Sequence, residues 1–171
     1  PQKRRTVYDL IPREHRPRVN ELVYAGRLDL LSSGLLILTT DGDLANRLVH
    51  PSSHVEKTYL LKTDRKLTDD ELSRLSEGID IGDGERTLPC RVHPQKAKSS
   101  VAQYEVILRE GRNRQIRRMV EAVGARVLSL SRVAIGRLSL RRLGLQAGEC
   151  RPLSEEELAL LYQSPAQGKD E

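Results

Sequence analysis

Residues 35–51, "LLILTTDGDLANRLVHP", constrain this chain more than any other stretch. Leu35, Leu36, Ile37 and Leu38 form a continuous apolar run of strand length. Asp41 or Asp43 then supplies an oxygen that caps a helix N-terminus, Leu44 and Leu48 share a face, and Pro51 stops the helix. A strand therefore passes almost directly into an amphipathic helix. The 171 residues contain no Phe and no Trp, so Leu, Ile and Val must fill the core beneath them.

The same patterns recur along the chain. Residues 6–11 read as one helical turn ending at Pro12, and residues 13–20 as a polar loop. Strands are expected at 21–26, 35–40, 55–63, "TLPCRVHP", 101–110 and 126–135. Helices are expected at 68–78, with a Thr68/Glu71 capping box and Gly78 at the end, and at 154–163, with Ser154 and Glu157 as the box. In "EGRNRQIRRMVEAVG", Ile116, Met119, Val120 and Val123 repeat at i, i+3, i+4 and i+7, an amphipathic helix ending at Gly124. Strands and helices mix without a regular βαβ rhythm. The fold class is α+β, with a mostly antiparallel central sheet flanked by helices. One domain spans 1–163, and 164–171 is a polar, disordered tail.

Charge is segregated. Residues 112–142 hold nine arginines against one acid, Glu121, whereas residues 64–85 hold three bases against eight acids. An Arg-built basic face suits phosphate and nucleic acid. No apolar run approaches a membrane span, and no signal peptide is visible. Cys90 and Cys150 are far apart and form no CxxC, as expected of two reduced thiols in the cytoplasm. His50 and His54 are separated by Pro51, and His15 and His93 are isolated, so no metal is expected.

One carboxylate stands out. Asp29 lies among Leu28, Leu30 and Leu31, where an acid must be paired, hydrogen-bonded or chemically active. On a helical wheel Arg117 falls on the flank of the buried stripe and needs an acid or a route to water. Two readings stand side by side: an ion pair joining two elements, or a carboxylate held ionised as a nucleophile.

"GRLD" at 26–29, the run from Gly34 to Pro51, "KTY" at 57–59 and "EGRNRQIRRM" at 110–119 together resemble the bacterial ribosomal RNA pseudouridine synthases of the RsuA type. The resemblance covers residues 6–154. It implies a fold of two sublobes with a cleft between them. It also implies isomerisation of a uridine in ribosomal RNA, without cofactor or metal. Asp29 falls on the family's nucleophile, Tyr59 on the tyrosine that packs against the flipped base, and Arg117 on the basic partner of the aspartate. Arg27 falls on the motif arginine near the RNA backbone, and Leu130 and Arg132 on the pocket floor. Arg112 and Arg114 join them as expected RNA contacts. The implied partner is ribosomal RNA or a pre-ribosomal particle, met by a cytoplasmic monomer.

The family's S4-type RNA-binding domain and its first strand have no counterpart in these residues. Either further residues precede Pro1 in the full-length protein, or residues 1–5 bend back over the open sheet edge. Two rival functions remain at this level. One is a non-catalytic RNA-binding or ribosome-assembly module on the same fold. The other is another glycosyl-transfer enzyme acting on nucleosides, such as a hydrolase. Tyr24 and Tyr104 are expected in the core, and Tyr8 and Tyr162 at the periphery.

Overall fold

A computed structural model describes residues 6–96 and 101–163. The expected tail at 164–171 and the expected cover from residues 1–5 lie outside the described residues. In chain order the elements are β1 (Val23–Ala25), β2 (Ser33–Gly34), β3 (Ile37–Thr39), α1 (Gly42–Val49), β4 (Lys57–Thr63), α2 (Asp69–Glu77), β5 (Arg91–Gln95), β6 (Gln103–Leu108), α3 (Gln115–Ala122), β7 (Val127–Ile135), β8 (Leu138–Ser139), α4 (Leu140–Leu143) and α5 (Glu155–Leu160). The 13–20 segment, expected to be a loop, forms a 3-10 helix, Arg13–Glu21, with Pro17 inside it. None of its residues is buried, so it is shaped by local turns rather than by core packing.

Six strands form one sheet in the order β2-β7-β4-β6-β5, with β8 paired to the end of β7. Every pairing is antiparallel except β2 with β7. A separate antiparallel pair joins β1 to β3. The mixed, largely antiparallel α+β architecture is therefore the observed one.

Alternation sets the faces. Leu61 lies between Tyr104 on β6 and Leu130 on β7, and Tyr59 lies between Val106 and Arg132. Lys57 continues this row at the strand end, opposite Leu108. The apolar end of the row packs with Leu67, Leu75, Ile116, Met119 and Val120 in one core. A second core joins Ala25, Leu35, Ile37, Leu44 and Leu48 to Ile135, Leu138 and Leu161. These two cores are the physical basis of two lobes: each is filled mainly by aliphatic side chains, as the lack of Phe and Trp requires, with the Tyr104 ring buried in the first.

Caps end the helices where the sequence places them. Asp41 rather than Asp43 caps α1, its Oδ1 accepting from the Leu44 N–H at 2.9 Å. Thr68 with Glu71, and Ser154 with Glu157, form complete capping boxes. Tyr104 is buried, and its hydroxyl accepts from the Leu67 N–H at 2.8 Å. Tyr24, expected in the core, is instead 51% exposed on the short β1. The β1–β3 pair covers only Ala25 of that strand, so its neighbours face outward. Tyr162 lies at the periphery with the Arg47 guanidinium over its ring, 5.2 Å from the centroid. Among the described residues no helix is long and apolar enough to cross a membrane.

Candidate active site

The loop between β1 and β2 carries Asp29, and three attachments hold it. The Ser32 N–H donates to the Asp29 carbonyl at 2.8 Å, closing a turn. The Leu35 N–H donates to the Arg132 carbonyl at 2.7 Å, while Arg132 Nε returns a 2.8 Å bond to the Leu35 carbonyl. Arg117 Nη2 donates to the Leu31 carbonyl at 2.7 Å and approaches Ser32 Oγ at 3.4 Å. Gly34 makes the second attachment possible. Its φ is +117°, and a Cβ there would stand 2.2 Å from the Arg132 carbonyl oxygen.

The loop closes one side of a cavity of about 210 Å³. Asp29, Tyr59, Arg27, Arg112, Arg114, Leu130 and Arg132 all line it. Residues separated by a hundred positions in sequence are thus brought to one place. Arg117 is not in the lining. It is only 6% exposed and sits behind the loop, where it holds main-chain and hydroxyl oxygens. The expected Arg117–Asp29 ion pair does not form in this structure. The helix flank aims the guanidinium at the turn that follows Asp29, and the Leu31 carbonyl takes it first. The Asp29 carboxylate, half-buried, makes no hydrogen bond or ion pair with any described residue.

The arginine segment after β6 is organised by an acid the motif reading passed over. Glu110 is 6% exposed and accepts from Arg112 Nε at 2.9 Å, Gln115 Nε2 at 2.7 Å and the Leu88 N–H at 2.8 Å. Gln115 Oε1 in turn accepts from the Arg112 N–H at 3.0 Å. Arg114 adopts a left-handed conformation, φ +49°, at the start of α3. Its side chain is thereby left exposed at the rim, while Arg112 is drawn partly into the Glu110 pair. Arg118 faces away from the cavity, bonded to Glu85 and to the Ile81 carbonyl. Part of the basic run is therefore internally neutralised.

Lys57 also lines the cavity, at 8% exposure. Burial, and secondarily the charge of Arg132, push its ammonium pKa down to about 8. A signal for it existed in the sequence: a lysine two residues before Tyr59 in an alternating strand must share that tyrosine's face. Both cysteines are free thiols. Burial, and secondarily the charge of Glu110, push Cys90 up to about 11, so it stays protonated at neutral pH.

A carboxylate that no described residue engages, a tyrosine and the exposed Arg27 and Arg114 have the makeup of a site for an extruded nucleotide. Comparison with known proteins makes the class specific. Residues 2–122 match the family model described as RNA pseudouridylate synthase. The chain is similar to ribosomal large subunit pseudouridine synthase B of Yersinia pestis, 42% identical over 148 residues, covering 86% of this chain and 45% of that protein. It is also similar to RNA pseudouridine synthase YtzG of Bacillus subtilis, 38% identical over 165 residues, covering 96% and 67%. A crystal structure of a pseudouridylate synthase superimposes with a TM-score of 0.80 at 32% identity, covering 91% of this chain and 65% of that one. This chain belongs to the RNA pseudouridylate synthase family. It spans a little under half the length of the Yersinia relative.

Proposed function

We propose that the protein isomerises a specific uridine of ribosomal RNA to pseudouridine, with Asp29 as nucleophile toward a flipped-out nucleotide. The observation that carries this reading is the convergence of Asp29, Tyr59, Arg27, Arg114 and Arg132 on one cavity. The names of the relatives in Yersinia pestis and related bacteria favour ribosomal RNA as the substrate class.

The reaction breaks the N1–C1′ bond, turns the uracil and joins C5 to C1′. The sugar carbon becomes electron-poor as the bond breaks, and the Asp29 carboxylate either attacks it or assists glycal formation. Uracil is both leaving group and acceptor, so no second carboxylate is required, unlike in a glycosidase. A base must leave its stack to be reached, and Tyr59, which lines the cavity, takes up the stacking. Arg27 and Arg114 at the exposed rim take phosphates, and Leu130 gives the floor an apolar patch. Arg117 acts by fixing the turn after Asp29. The reading needs no metal or cofactor and places the protein, as a monomer, in the cytoplasm.

Pseudouridine mapping of ribosomal RNA, from cells with and without the protein, tests this directly. One position is expected to lose its pseudouridine when the gene is removed, and to regain it with wild type but not with Asp29→Asn. Full restoration by Asp29→Asn would favour a non-catalytic assembly module. Loss of the base, read as a mass change, would favour a hydrolase.

A further inference from the structure

Lys57 and Arg132 are buried cations on which no described carboxylate sits. Arg132 is 4% exposed, and among the described residues its Nη2 is buried without a hydrogen-bond partner and only its Nε is engaged, by the Leu35 carbonyl. Lys57 makes no hydrogen bond or ion pair with any described residue. Glu110 lies in the same cavity, but its oxygens are occupied by Arg112, Gln115 and the Leu88 N–H. Two neighbouring buried charges of one sign are costly unless something else meets them.

Their placement says what that is. Both share the sheet face of Tyr59: Arg132 is directly across from it on β7, and Lys57 is two residues along β4. Phosphates travel on the outside of the chain and meet the exposed Arg27 and Arg114. What reaches the floor beside Tyr59 is the edge of the base. We propose that Lys57, with Arg132, donates hydrogen bonds to the carbonyl oxygens of the uracil and holds its negative charge while the ring is detached from the sugar. This rests on the reading of Asp29 and Tyr59 given above.

The chemistry balances as follows. The N1–C1′ bond breaks with its electron pair on the ring, leaving a uracil monoanion whose charge is shared by N1, O2 and O4. After rotation, C5 gives an electron pair to C1′. The C5 proton is released to water and N1 takes one from water, so the net change is isomerisation. Lys57 stays protonated throughout and acts only as donor and counter-charge. Fixed donors aimed at developing charge in a water-poor site are the usual source of such stabilisation.

Lys57 is charged below about pH 8. The other charged or titratable groups of the cavity are Arg27 and Asp29 from the β1–β2 loop, Tyr59 on β4, Glu110, Arg112 and Arg114 after β6, and Arg132 on β7. The test uses the full chain, wild type, Lys57→Met and Lys57→Arg, with ribosomal RNA from cells lacking the gene. Turnover under saturating RNA, RNA affinity, melting temperature and the pH profile are measured. Lys57→Met is expected to lower kcat by about 100- to 1,000-fold, the usual cost of losing one such donor. RNA affinity should change less than about threefold. Its melting temperature should not fall, because removing an unpaired buried charge relieves strain. Wild-type turnover should decline above about pH 8, and Lys57→Arg, which stays charged, should lose that decline. Wild-type kcat in Lys57→Met, or the same alkaline decline in Lys57→Arg, overturns the proposal. A loss confined to affinity overturns it too and assigns Lys57 to phosphate. Full turnover in Asp29→Asn removes the site reading itself, whereas an inactive Asp29→Asn beside an active Lys57→Met removes only the role of Lys57.

Discussion

Asp29 and Gly34 sit five positions apart in one loop and carry opposite kinds of information. Asp29 supplies the carboxylate proposed as nucleophile, and no described residue engages it. Asp29→Asn keeps the size of the side chain but replaces the anionic carboxylate, the proposed nucleophile, by a neutral amide. Turnover is expected to fall below detection while RNA affinity stays within about threefold, checked by pseudouridine formation and filter binding. Gly34 supplies nothing chemical. It lets β2 touch β7, and a Cβ there would meet the Arg132 carbonyl oxygen at 2.2 Å with φ at +117°. Gly34→Ala should cost about 3 kcal/mol, the upper end for backbone strain, because a main-chain clash adds to the conformational cost. Denaturant unfolding measures it. The reading of Arg117 as the partner of Asp29 failed at this same scale. A wheel tells which side of a helix a guanidinium leaves from, but not which oxygen is nearest when it arrives.

At the scale of elements, the helices with capping boxes are the most self-sufficient parts of the chain. In α2 the Glu71 carboxylate accepts from Arg65 Nη1 at 2.8 Å, from Arg65 Nη2 at 2.7 Å and from the Thr68 N–H at 2.8 Å. The Arg65 hydrogen bonds, then that of the Thr68 backbone, pull its pKa down to about 2. A carboxyl whose folded pKa is depressed contributes stability that is present above its ordinary value of 4.5 and is lost as pH falls toward 2. Wild type should therefore lose stability across that window, and Glu71→Gln should show a shallower acid slope in chemical denaturation. Solvent exposure of Arg65 keeps the difference small. Thr68→Ala, which removes the other half of the box, should cost about 1 kcal/mol at neutral pH. Glu56 works differently. It is 2% exposed and ties Arg91 on β5 and Arg109 after β6 to the start of β4. No local pattern announces it, because its partners lie 35 and 53 positions away.

For the whole molecule, the ion pairs redraw the basic surface that the composition suggests. Arg112, Arg118 and Arg126 are each paired to an acid. Arg27 and Arg114 at the cavity rim, and Arg141 and Arg142 on α4, make no ion pair among the described residues. If about four phosphates are neutralised, log K for single-stranded RNA should fall with log salt at a slope near −3. Titrations at several salt concentrations check this. A flat response would mean that these arginines face something other than phosphate.

How much of this was legible beforehand depends on the range of the interaction. Residues 35–51 announce their own strand, cap and helix, because caps and periodicity act within a few residues. The Thr68 and Ser154 boxes and the α3 stripe are legible for the same reason. The α+β class follows from the order of these local signals. The motifs also mark Asp29, Tyr59, Arg112 and Arg114, and those residues do share one cavity. Alternation places Lys57 on the face of Tyr59, but its burial beside Arg132, the Glu110 hub and the clamp of Arg117 on Leu31 belong to the tertiary structure. The first depends on β4 and β7 lying side by side at a particular register, and the other two on α3 and the segment after β6 being brought against Leu88 and the β1–β2 loop. A charge buried in that way answers to neighbours far along the chain, and only the folded molecule decides which they are.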